Sequence, residues 1–425
     1  MNSDDLQSCH DSQARKGKAV ELTFSDRLAD FTPASDIFVA NGALGEDCGI
    51  IQLIDLMRNH GTLFYKSAAV TEGRAPKGLI GRKDTIIIKV NCQWDERGGT
   101  NTDLLKALIG RMAGHPDGFV GEIVVADNGQ GQYGSTGRGG SFDYTRNNAE
   151  DISQSIEKVV DSFAGYKVST YLWDRITTKR VKEYAEGNNE DGYVIDGSKN
   201  PRTGLLVSYP KFKTRFGTLI SFKLGVWHPE TQSYDSDRLK VINVPVLKSH
   251  MIYGVTACIK HYMGVTSDKL TGQRGASSHG AIGAGGMGTE IAETRFPVLN
   301  IVDAIWVNAN PGRGPGTPYE SAARTNVIAT STDPVALDYW AAKRILIPTA
   351  RHLGHSAVSS INPDNTTPHS FGYWLRLSME EITRAGYQAT VDEAHMNVYA
   401  ANMAHTRYQE IPYISSTTCI SSAHS

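Results

Sequence analysis

Lys248, His250, Lys260 and His261 crowd into LKVINVPVLKSHMIYGVTACIKHYMGV, Leu239 to Val265. Two lysines beside two histidines make a set that can hold an anion and move a proton. An ammonium attracts a carboxylate or phosphate, and a lysine buried beside another cation loses its own proton near neutral pH. Other segments add to the set: Lys89 and Asn91 close DTIIIKVN, Asp127 closes EIVVAD, and Arg274 and His279 lie in TSDKLTGQRGASSHGAIGAGGMGTE. Arginine brings a planar fork of donors and histidine titrates near neutrality. The roles expected are proton transfer by Lys248 or His250, orientation of a base by Asp127, and anion binding by Lys260 and Arg274. Lys89, Asn91 and His261 complete the binding wall, and His279 arrives with a lid. Each residue also has an ordinary use, as a strand-end cap, an Asx turn or a solvated charge.

The elements that must position these groups are legible in the apolar pattern. LKVINVPVL reads as a buried parallel strand, with Pro245 at its last paired position or at a bulge, since proline donates no ladder hydrogen bond. Ile252, Val255, Ile259 and Met263 recur at helical spacing, which predicts a helix over 252–263. Lys248 and His250 then fall in the turn before it, and at most one of Lys260 and His261 faces the same crevice. DTIIIKVN and EIVVAD are two more buried strands, the first followed by a helix capped by Thr100 or Asn101. Residues 205–226 read as a β-hairpin insertion with Lys211, Lys213 and Arg215 at a solvated tip, and 266–290 as a long glycine-rich loop. PVLNIVDAIWVN and TNVIATST resume the strand pattern. DPVALDYWAAKRIL follows as a helix that Asp333 caps, and it places Asp338, like Asp303 before it, in an apolar setting.

This pattern predicts an α/β fold: a mostly parallel sheet flanked by helices, elaborated by the hairpin and by glycine-rich loops. The domain is expected over 18–410, between loose tails at 1–17 and 411–425. Ligands of such sheets bind beyond the carboxyl ends of the strands, where Lys89, Asp127 and Lys248 are expected.

Composition narrows the function. A net charge of −2 gives no general attraction to nucleic acid or to an acidic membrane surface. No stretch offers the roughly 20 apolar residues of a membrane helix. The five cysteines show no CxxC pair, which fits a reducing, cytoplasmic compartment. The glycines of VVADNGQGQYGSTGRGG match neither the dinucleotide fingerprint nor a phosphate loop, so no nicotinamide or flavin cofactor is expected. His352, His355 and His369 match no zinc motif, and no metal is expected either.

IIIKVN, VVADNGQG, VINVPVLKSH with GVTACIKHYMGV, LNIVDAI and STDPVALDYWAAKRIL occur in that order from Asp84 to Leu346. In this series the chain resembles the family known as domain of unknown function 362. Some members carry ferredoxin-like cysteine runs or an export signal, and neither is expected here. Where the family usually reads lysine-asparagine this chain has Lys260-His261, a difference that points to a particular substrate. The resemblance strengthens the fold and the choice of residues and names no reaction. The function expected is cofactor-independent acid–base chemistry of an isomerase or lyase type on a small anionic metabolite. A non-catalytic anion-binding protein and a metal-dependent hydrolase are the alternatives; the oligomeric state is left open.

Overall fold

Two apolar runs, TIIIK and EIVVAD, pair as adjacent parallel strands whose residues are all buried, because both faces of the sheet are covered. The structure, a computed structural model, describes residues 35–43, 47, 49–130, 139–272, 278–402 and 410–411. Arg274 lies outside the described residues, as do the two expected tails apart from Ile411.

In chain order the large sheet contains β1 (Ser35–Asn41), β2 (Thr85–Lys89), β3 (Glu122–Asp127), β4 (Val168–Leu172), β5 (Leu239–Asn243), β6 (Val246–His250), β7 (Gly254–Thr256), β8 (Leu299–Asn308), β9 (Ala323–Ser331) and β10 (Met396–Asn402), with Glu410–Ile411 at its edge. Across the sheet the order is β10, β1, β9, β8, β5, β2, β3, β4, while β6 pairs with β8 and β7. Most neighbours are parallel; β9 runs antiparallel to β1 and β8, and β7 antiparallel to β6. The strands β2, β3 and β4 step outward one after another, whereas β5 returns to the other side of β2. Strand order therefore reverses between β2 and β5, and a crevice opens at their carboxyl ends.

Alternation along the strands divides the core. Ile86, Ile88, Ile123 and Val125 pack against α1 (Ile50–Asn59), α2 (Thr102–Ala113) and α3 (Ile156–Asp161). Ile87, Val124, Val241 and Val302 face the opposite layer, which includes α4 (Cys258–His261), α5 (Gly286–Glu293), α6 (Pro334–Ala341) and α7 (Phe371–Arg384). Asn101 caps α2, accepting the N–H groups of Asp103 and Leu104 at 3.0 and 3.1 Å. Asp333 caps α6 with Pro334 behind it, accepting from Val335 and Ala336 at 2.8 and 3.0 Å.

One expectation is extended and two are corrected. The hairpin is only the centre of a five-stranded antiparallel sheet, in which 208–213 and 219–221 are flanked by 192–195, 225–228 and 233–235. Its Lys211 is 0 % exposed, not solvated at a tip, because the carbonyls of Asn188 and Glu190 each accept from its ammonium at 2.8 Å and Tyr184 lies beneath it. The glycine-rich run 266–290 is not a plain loop where it is described: Asp268–Thr271, Ser278–Ala281 and the first part of α5 are helical. Glycine is needed there for close packing. A Cβ on Gly288 would stand 2.4 Å from the carbonyl oxygen of Ser378 and 2.5 Å from its Cα, both backbone atoms of α7.

Gly288→Ala must push α5 away from α7, and is expected to lower stability by about 1–3 kcal/mol in denaturant unfolding. An unchanged midpoint would show that the two helices separate without cost.

Candidate functional site

Pro245 builds the site by ending one pairing and starting another. After β5 the Val244 N–H donates to the Lys89 carbonyl at 2.8 Å; Pro245 has no N–H, and the next donor, Val246, turns to Asn91 Oδ1 at 2.8 Å. From there β6 leaves β2 and continues beside β8, in register Val246 with Asp303. A tight two-stranded ladder with β7 follows, and it pairs Lys248 with Thr256. The predicted helix over 252–263 is therefore replaced by a turn, a strand and the four-residue α4. Its apolar residues are buried because strand and short helix each cover them, except Ile252, which is 68 % exposed in the turn.

Lys89, Asn91, Asp127, Lys248, Lys260, His261 and His279 all line one cavity at the carboxyl ends of β2, β3 and β6, with a volume of about 40 Å³. The expectation that only one of Lys260 and His261 reaches it fails, since α4 is a single turn that presents both. Asp338 holds this turn from the facing helix α6: its two carboxylate oxygens accept the N–H groups of Cys258 and Ile259 at 2.7 and 2.9 Å. Burial pushes the Asp338 carboxyl up to about 7 even against those hydrogen bonds.

The cations of the cavity are not equivalent. Lys89 is 0 % exposed and donates to Asp127 Oδ1 at 2.7 Å, and the other oxygen of Asp127 accepts the Cys92 N–H at 2.8 Å. Asp127 thus neutralises a lysine and does not orient a base as expected. Lys248 donates to the Gly98 carbonyl at 2.7 Å; burial, then the nearby Lys260, lowers its ammonium to about 7. Burial also lowers Lys260, to about 8, with Asp268 opposing the shift. Its ammonium lies 5.6 Å from the Tyr253 ring and has no hydrogen-bond acceptor among the described residues.

Of the histidines, His250 does not line the cavity. Its Nδ1 accepts the N–H groups of Ile252 and Tyr253 at 3.2 and 3.3 Å, and burial, with Lys260, His279 and Lys248 nearby, lowers its pKa to about 2. With Nδ1 an acceptor, the neutral ring carries its hydrogen on Nε2 and keeps no lone pair for a substrate proton. The expected base His250 is corrected on that ground to a residue that shapes the β6–β7 turn. His261 Nδ1 and Nε2 lie 2.7 and 2.9 Å from Asn243 Oδ1 and the Val90 carbonyl, so the ring is a fixed wall; burial and the neighbouring Lys89 push its pKa down. His279 is held through Nδ1 by Asp268, and its carbonyl accepts from the Tyr253 hydroxyl at 2.5 Å. Asp268, not Asp127, is the carboxylate that orients a histidine here. Thr256 and Gln130 also line the cavity and escaped the sequence reading, because only strand pairing and the return of the 128–130 turn bring them in. Among the described residues no three His, Cys, Asp or Glu side chains gather as a metal site would require.

Residues 234–343 match a family model described as domain of unknown function (DUF362). The resemblance holds over this segment, which contains Lys248, Lys260 and Asp338; IIIKVN and VVADNGQG, with Lys89 and Asp127, fall outside it. No curated protein and no solved structure matches the chain. No helix among the described residues is long and apolar enough to cross a membrane.

Removing the Asp338 carboxylate by Asp338→Ala leaves two buried N–H groups unpaired, and should cost about 2–6 kcal/mol in denaturant unfolding at roughly 1–3 kcal/mol for each. Asp338→Asn keeps one acceptor and should lose less; equal losses in the two would show that the hydrogen bonds to α4 are not what matters.

The depressed Lys248 gives a second expectation. Between about 7 and its ordinary value of 10.5 the unfolded chain holds a proton that the folded protein does not, so this group raises stability as pH rises through that window. Its destabilising effect is complete below about 7. Lys248→Met should therefore gain stability relative to wild type as pH falls from 9.5 to 6.5, read from paired melting curves. A pH-independent difference would mean that Lys248 titrates normally.

Proposed function

We propose that the protein is an enzyme that binds a small anionic metabolite in this cavity and performs acid–base chemistry on it, of an isomerase or lyase type. The observation that carries the reading is the pair Lys248 and Lys260: two buried ammonium groups facing one cavity, with no carboxylate hydrogen-bonded to either among the described residues. Buried charges are ordinarily paired, and the natural counterion here is a ligand. Lys260 is the anchor. Lys248 is the proton carrier, since a group with a pKa near 7 exchanges its proton at working pH and the Gly98 carbonyl fixes the amine.

In such a reaction the neutral Lys248 amine takes the proton from a carbon beside the substrate carboxylate. The C–H bonding pair moves onto the carboxylate oxygens, where Lys260 stabilises the added charge. The Lys248 ammonium then delivers the proton to another carbon of the delocalised anion, which isomerises the substrate, or the pair expels a leaving group from the adjacent carbon and the Lys248 ammonium gives that group its proton as it departs. No external oxidant or reductant is needed.

Calorimetry with a panel of short carboxylates tests the binding. An anion raises the pKa of nearby ammonium groups, so binding at pH 8 should draw a fraction of a proton from the buffer, read by repeating the titration in buffers of different ionisation enthalpy. Lys260→Met should weaken binding by roughly tenfold or more. The chemistry is tested in D₂O: wild type should exchange the C–H next to the carboxylate of a bound compound, and Lys248→Met should bind without exchanging. Binding without exchange in wild type would leave a binding protein, and no binding of any anion would remove the proposal.

A further inference from the structure

The unpartnered polar atoms of the cavity have a donor and acceptor pattern, and it narrows the ligand further. On one side are donors. Lys260 has no acceptor among the described residues, and the Thr256 hydroxyl, on a residue 5 % exposed, has no partner either. Lys248 sits beside Thr256 across the β6–β7 ladder and directs one N–H to Gly98, which leaves its remaining hydrogens for the cavity. A carboxylate, with two oxygens and about four lone-pair directions, is the acceptor that such a set fits.

On the other side is an acceptor. Gln130 is 3 % exposed and lines the same cavity, and its Oε1 is buried without a partner among the described residues. The amide cannot simply be turned over, because its Nε2 donates to the carbonyl of Met263, where an oxygen would be repelled. The backbone of Gln130 also adopts a φ of 70°, fixed by the donation of its N–H to Asn128 Oδ1 at 2.8 Å. An unpaired buried carbonyl oxygen is costly, and a ligand that donates a hydrogen bond relieves it.

Resting on the anion-binding reading above, we infer that the substrate is a short hydroxycarboxylate, its carboxylate held by Lys260 and Thr256 beside the proton carrier Lys248 and its hydroxyl donating to Gln130 Oε1. An amino acid would also offer a donor at that position. Its ammonium, however, would enter a cavity that already holds Lys248 and Lys260 and be repelled by both, whereas a hydroxyl carries no charge. Gln130 is a specificity residue in this scheme and Lys260 the affinity residue.

The experiment is a calorimetric comparison of matched probes on the full chain: propionate, lactate and alanine, then succinate, malate and aspartate. Each hydroxy acid should bind about tenfold or more tightly than its deoxy analogue, because the analogue leaves Gln130 Oε1 unpaired. Each should also exceed the amino analogue. In Gln130→Met, which keeps the length and lacks the acceptor, the hydroxy acid should fall to the affinity of the deoxy analogue while the deoxy analogue is unchanged. Equal affinity of hydroxy and deoxy acids in wild type overturns the inference and leaves the anion site standing. Tighter binding of the amino analogues overturns the charge argument, and retained discrimination in Gln130→Met overturns the role of Gln130. Failure of all six probes to bind would count against both the inference and the anion site beneath it. The wild-type series decides the substrate class even if the variant does not fold.

Discussion

Asp127 makes the floor of the cavity possible. One of its oxygens meets the Lys89 ammonium at 2.7 Å and the other takes the Cys92 N–H, and Gly264 passes so close above that a Cβ would lie 2.2 Å from the carboxylate and 2.5 Å from the ammonium. An ion buried alone costs on the order of several kcal/mol, and pairing with hydrogen bonds to the remaining positions is what makes a lysine tolerable at the end of a central strand. The pair also sets the charge of everything around it. With Lys89 neutralised, Lys248 and Lys260 remain as cations without a hydrogen-bonded carboxylate among the described residues, and the cavity is positive by their charge rather than by a general basic surface.

The positions of these two lysines depend on restraints that lie far away in the chain. Lys248 is placed by the exchange of strand partners at Pro245, where the missing N–H and the Asn91 side chain divert the chain from β2 to β8. Lys260 is placed by Asp338, whose carboxylate takes the first N–H groups of a helix too short to be stable alone. In STDPVALD the two aspartates thus divide the work: Asp333 starts its own helix, and Asp338 starts the one that carries Lys260 and His261. The carboxylates that looked suited to chemistry in the sequence are mostly the framework that holds amines in place.

Most of the parallel sheet was legible because a strand covered on both faces is apolar through most of its length, and TIIIK, EIVVAD and LKVIN carry such runs with polar residues mainly at their ends. The caps at Asn101 and Asp333 were legible for a similar local reason, since a side-chain acceptor satisfies N–H groups two and three positions away. The helix expected at 252–263 was a misreading with a physical origin: buried apolar residues at helical spacing also suit a turn, a short strand and one helical turn when other layers cover each piece. The glycines of 266–290 suggested freedom of movement, yet Gly288 serves the contact of two helices.

By itself the sequence determined the strands, the caps and the pool of chemical groups, because these depend on the solvation and hydrogen bonding of neighbours in the chain. Only the tertiary structure decided which groups share a cavity and in what state. Lys89 and Lys248 are the same residue type at the ends of similar strands, yet one is neutralised by Asp127 and the other is lowered to about 7 by burial and Lys260. His250 and His279 likewise differ in whether backbone N–H groups or the Asp268 carboxylate meets Nδ1. Electrostatic interaction falls with distance and grows as water is excluded, and both quantities are fixed by the packing of segments far apart in the chain.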